Sequence, residues 1–150
     1  MQHKTIITPK NLRIYFISTL IISLIITFFG NDTLDNYATV FYMLTGPPIF
    51  TIIQIKYNSK LNLQLKENYN EIYEKFKESR GYSKSEGIWT LNIINRSDNT
   101  FEKSLLETKN SELINIYFII KHSITFTYLS FFLIIPIALC LFIKIHIFKL

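Results

Sequence analysis

SITFTYLSFFLIIPIALCLFI, from Ser123 to Ile143, holds no charged side chain. Its length of about 21 residues, at about 1.5 Å per helical residue, matches the roughly 30 Å hydrocarbon core of a bilayer. Two further apolar runs precede it, one from Ile14 to Gly30 and one from Tyr37 to Ile55. In hydrocarbon every backbone N–H and C=O must be bonded within its own segment, so these runs are expected as helices even though Ile, Phe and Thr are poor helix formers in water. The fold class this predicts is an all-α integral membrane protein. Its single membrane domain covers residues 1–150, with transmembrane helices at about 14–30, 37–55 and 123–143. An amphipathic helical cytoplasmic segment at about 56–122 separates the second from the third.

The chain has 150 residues, 49% of them hydrophobic, and a net charge of +5. The charge does not point to nucleic acid. The polar middle, 56–112, carries ten Lys/Arg against nine Asp/Glu and is nearly neutral. The excess comes from Lys4, Lys10, Arg13, Lys121, Lys144 and Lys149, which flank the apolar runs where lipid headgroups attract cations. Basic residues ahead of the first run resemble a signal peptide. Gly30-Asn31-Asp32 after it offers no small-x-small cleavage pattern, so an uncleaved span is expected. The lone cysteine, Cys140, lies inside the third run and reads as a small apolar side chain.

Pro9 marks a helix start. Within the first span, Ser18, Thr19, Ser23 and Thr27 recur at four- or five-residue spacing and form a candidate helix-packing seam. Gly30 to Asn36 is a turn. The second span is interrupted at its middle by Gly46-Pro47-Pro48, a candidate hinge, where two prolines remove two backbone donors. Such a break near mid-membrane is either a structural kink or a hinge beside a polar site. Bases precede the first span and open the segment after the second (Lys56, Lys60, Lys66), whereas the first loop has none. This asymmetry predicts a multi-pass protein, of the bacterial inner-membrane kind, with a cytoplasmic N-terminus. Three spans put Lys144, His146 and Lys149 on the side that this rule disfavours.

From Tyr57 to Arg80 the pattern is helical, and Gly81 supplies a stop. Leu65, Tyr69, Ile72 and Phe76 share one face, a candidate cytoplasmic contact surface. Ile88, Trp89, Leu91, Ile93 and Ile94 make a short apolar patch suited to an interfacial dip. Asn99 and Glu102 read as a capping box. Because no glycine or proline lies between Asn99 and Pro136, one long helix is expected there. Leu113 to Ile120 reads as packing surface against the amphipathic helix, which leaves Lys121 and His122 as a candidate pH-sensitive boundary.

No acid lies in the three spans, which argues against a carboxylate proton relay. P-loop, GxSxG, HExxH and CxxC motifs are absent from the sequence, so no catalytic, cofactor-binding or metal residue is assigned and an enzyme is not expected. The layout is a basic start, a hairpin, a charged middle and a final span. It is similar to that of the immunity proteins against pore-forming bacteriocins. Stress-associated small membrane proteins share a charged helix of the LKENYNEIY type (here 65–73) ahead of a last span. The resemblance implies a non-enzymatic membrane protein that contacts another membrane protein, or itself, within the lipid bilayer, as an immunity, exclusion or accessory subunit. The alternative is a self-assembling pore or small transporter gated at Gly46-Pro47-Pro48. A membrane-anchored enzyme is a third class.

Overall fold

Thr8 opens the first helix: its Oγ1 accepts from the Asn11 amide at 3.2 Å, and Pro9 takes the first helical position, where a missing N–H costs nothing. The computed structural model describes residues 7–30, 32–78 and 99–148, excluding the side chains of 32–36, 75–78, 99, 147 and 148. Gly81 and the patch around Trp89 lie outside the described residues, as does the Phe76 side chain.

The helices are α1 (Pro9–Phe29), α2 (Asp32–Thr45), α3 (Pro47–Asn68), α4 (Asn70–Glu78), α5 (Asn99–Glu107) and α6 (Ser111–Ile143), followed by a π-helical turn, Lys144–Phe148. No strand occurs among the described residues. Three stretches are long and apolar enough to cross a membrane: Pro9–Phe29, Tyr37–Asn68 and Ser111–His146. Gly30 closes α1 in an extended conformation, its N–H donating to Ile26 O at 2.9 Å. The second span comprises most of α2 and all of α3. Helical hydrogen bonding continues across Tyr69 into α4, with Tyr69 N to Leu65 O at 2.8 Å and Tyr73 N to Tyr69 O at 3.0 Å.

The single helix expected from Asn99 to Pro136 is instead two. It breaks at Thr108–Asn110 although no glycine or proline is there. Lys109 adopts a positive φ of 53°, the left-handed cap conformation, and its N–H donates to Leu106 O. Thr108 Oγ1 donates to Leu105 O at 2.7 Å. Asn110 then starts α6: its Oδ1 accepts from the amides of Glu112 and Leu113 at 3.1 and 3.2 Å. A side-chain cap here outweighs the propensity of the flanking residues to continue.

The chain forms two units, Met1–Gln54 with His122–Leu150, and Ile55–Lys121. The first has Leu12, Phe16, Ala38, Tyr42, Phe50, Phe126 and Ile137 at its core. In the second, Leu61, Leu65, Leu105, Leu113, Ile116, Tyr117, Ile119 and Ile120 are buried together with Asn58. Leu113 to Ile120 thus serves as packing surface, with Ile114 and Phe118 half-buried.

Candidate functional site

The interior of the first unit carries small hydroxyls among its apolar and aromatic side chains. α1 buries Leu12, Phe16, Thr19, Ser23 and Thr27, one helical face. Of the seam residues expected from sequence, Thr19, Ser23 and Thr27 lie on this face. Ser18, about 100° around the helix from Thr19, is exposed. Each buried hydroxyl returns to its own helix. Thr19 Oγ1 donates to Phe16 O at 2.9 Å, Ser23 Oγ to Thr19 O at 2.9 Å and Thr27 Oγ1 to Ser23 O at 2.9 Å. Small side chains with satisfied hydroxyls let neighbouring backbones approach closely.

α6 carries a second small-hydroxyl stripe at Ser123, Thr127 and Ser130, all buried, of which only Thr127 returns its hydroxyl to the helix. Thr127 Oγ1 donates to Ser123 O at 2.9 Å. This second stripe was not singled out above. Its spacing of four and three residues, the same signal as in α1, was available to find it.

The Gly46-Pro47-Pro48 break sits between these stripes. Gly46 and Pro47 are buried and Pro48 is exposed. Gly46 still donates to Tyr42 O at 2.9 Å and accepts from Phe50 N at 3.4 Å, so the chain turns only slightly out of helical form. A neighbouring helix supplies a donor at the break: the Tyr15 hydroxyl donates to Thr45 O at 2.7 Å. Phe50, just past the break, meets Tyr15 edge-on at 5.7 Å and Phe126 at 5.5 Å, while Phe16 stacks on Phe126 at 4.8 Å. These rings set the register. They level the break with the second turn of α1, toward the Pro9 end of the unit and away from the central position expected. A Cβ on Gly46 would lie 3.0 Å from Tyr42 O and 3.3 Å from Ser130 Oγ, so glycine permits the close approach of α6. The Tyr42 hydroxyl faces that of Ser130, but neither completes a well-formed hydrogen bond. α6 runs in the direction of α1, for at its far end Lys144 Nζ donates to Gly30 O at 3.1 Å.

The second unit holds the other residues singled out from sequence. Leu65 is fully buried, and Tyr69 and Ile72 are half-buried. The Tyr69 hydroxyl accepts from Asn110 Nδ2 at 3.2 Å. This face is therefore packed within the chain. Lys121 ion-pairs with Glu102 at 2.7 Å, and the same carboxylate oxygen accepts from the Tyr117 hydroxyl at 2.8 Å. Lys121 beside it, and then the Tyr117 hydroxyl, hold the Glu102 carboxyl below the usual carboxylate range. Lys60 and Glu112 form a second pair at 2.7 Å. His122 belongs to the first unit, its ring 5.9 Å from that of Phe126.

Among the described residues no group of three His, Cys, Asp or Glu side chains is placed to hold a metal ion. No family model, curated protein or solved structure matches the chain. The class defined by the geometry is a helical protein with three helices long and apolar enough to span a membrane.

Proposed function

We propose that this is a small non-enzymatic multi-pass membrane protein that acts by contact with another membrane protein, as an immunity, exclusion or accessory subunit does. In this reading it sits in a bacterial inner membrane, with the N-terminus and residues 56–122 on the cytoplasmic side. The observation that supports it is the distribution of surfaces. The Ser/Thr seam and the Leu65–Tyr69–Ile72 face are occupied within the chain, whereas large apolar side chains point outward. On α6, Tyr128, Phe132, Ile135, Leu139 and Phe142 recur at spacings of four and three residues, and all are exposed, Phe132 at 72%. This is the spacing with which one helix meets another over several turns. The partner contact is assigned to this ridge.

Photocrosslinking in intact cells tests the reading, with probes at Phe132 and at Ser23. A defined heterologous membrane protein captured at Phe132, and none at Ser23, is the expected result. Adducts with lipid alone at Phe132 would remove the basis of the proposal. The small hydroxyls of the interior favour the second reading, a pore or small transporter. A ladder of self-adducts at Phe132, accompanied by loss of membrane potential on expression, would select it.

A further inference from the structure

α6 contains a proline of its own, and it stands on the outer face. Pro136 lies inside the helix and brings no N–H, so the carbonyl of Phe132, four residues earlier, loses its helical donor. Phe132 is nine residues after Ser123 and eleven before Ile143. That is about 13–17 Å from either end of the apolar run, out of reach of headgroups and bulk water. No side chain from Phe131 to Ile143 carries a hydroxyl or an amide that could turn back onto this carbonyl. The helix continues in α form through Pro136 to Ile143 and does not rewind around the gap. Phe132 is 72% exposed and Pro136 is exposed as well. Four residues apart, they share one face, and the freed carbonyl lies between them on it. Hydrocarbon offers no donor there, which makes an unpaired backbone group expensive. The break in the second span is served from within the chain, where the Tyr15 hydroxyl of α1 donates to Thr45 O at 2.7 Å.

We infer that the partner helix seated on the α6 ridge carries a serine or threonine whose hydroxyl donates to Phe132 O. The inference rests on the reading of this ridge as a contact surface and names what the contact contains. Phe131, Ile135 and Leu139 stand out around the carbonyl, 57%, 63% and 55% exposed, so only a small side chain lets a second helix come near the backbone. A small hydroxyl also suits the bilayer, because it bonds its own helix until it meets the carbonyl. A second copy of this chain does not supply it. Phe16 stacks on Phe126, so Ser18, two residues past the one, is level with Tyr128, two residues past the other. The exposed Ser18 is therefore a full turn short of Phe132. Ser23, nearer that level, is buried.

The test begins with photocrosslinking in intact cells from a probe at Leu139, on the same ridge. Mass spectrometry of the adduct gives the partner helix and the serine or threonine nearest the crosslink. Capture is then compared over a cycle of four pairs: wild type and Pro136→Ala, each with the partner's hydroxyl residue intact or replaced by alanine. Pro136→Ala restores the missing amide, so Phe132 O no longer calls on the partner. The expected result is about a fivefold loss of capture on replacing the hydroxyl against the wild type, and none against Pro136→Ala. Equal losses in both backgrounds overturn the hydrogen bond and leave the contact standing. A partner helix with no serine or threonine at the crosslink does the same. Self-adducts or lipid adducts alone overturn this inference together with the reading it rests on. Should Pro136→Ala fail to accumulate, the replacement in the partner decides against the wild type: a fivefold loss supports the bond, and unchanged capture overturns it.

Discussion

Gly46 stands where the second span loses two amide donors and where Ser130 of α6 lies close to its backbone, so its missing side chain has a measurable consequence. In Gly46→Ala the new methyl meets Tyr42 O at 3.0 Å and Ser130 Oγ at 3.3 Å. Tyr42 O belongs to the preceding turn of the same span and Ser130 Oγ to α6, so relief requires both a shift of the local backbone and movement of the Ser130 side chain. A loss of about 1–3 kcal/mol is expected, the usual scale of overpacking, read from unfolding in micelles. Lys109 gives the opposite sign. Its φ of 53° is unfavourable for a side chain bearing a Cβ. Lys109→Gly should raise stability by about 1 kcal/mol, measured in the same way. Glu102 carries a pH dependence. Its carboxyl is held below its ordinary value by Lys121 and Tyr117. The stabilisation is therefore present at neutral pH and is lost as pH falls through the carboxylate range and below. Amide exchange in α5 should accelerate on acidification in the wild type. Glu102→Gln should exchange faster at pH 7 and change less with pH.

α1, the second span and the long apolar part of α6 could be read from the sequence because uninterrupted apolar length is a strong signal in a bilayer and Pro9 marks a start. The α5–α6 boundary could not. Its turn is made by Thr108, Lys109 and Asn110, none of which breaks a helix by itself, and what ends α5 is a conformation that lysine rarely takes. What starts α6 is the carboxamide of Asn110 on two amides. Asn110→Ala should cost about 1 kcal/mol and speed amide exchange in the first turn of α6. The hydroxyl-bearing site was half readable for a related reason. Sequence reading looks for apolar stripes inside and polar ones outside, whereas α1 and α6 bury Thr and Ser and expose Ile and Phe. The stripe on α1 was found, and the matching one on α6 was hidden among the large apolar residues that define the span.

The proposed topology, with three crossings, puts the N-terminal flank of α1 and the residues after α6 on opposite sides of the membrane. Reporter fusions after Lys66 and after the last residue should give opposite signals, and the Lys66 fusion should match one at the N-terminus. The disfavoured placement of Lys144 under the positive-inside rule has a local account. Its ammonium sits at the carbonyl end of α1, where helix dipoles favour a cation, and it donates to Gly30 O. Lys144→Met should lose about 1 kcal/mol of stability in micelles as the hydrogen bond to Gly30 O is removed.

That contact also has a consequence in time. Gly30 and Lys144 are 114 positions apart. At synthesis rates of about 5–20 residues per second, roughly 6–23 seconds separate the emergence of one from that of the other. For that interval the hairpin of α1 and the second span is held by its own contacts alone, Tyr15 on Thr45 O and Phe50 against Tyr15 and Phe16, and the last helix adds the one at the end of α1 when it arrives.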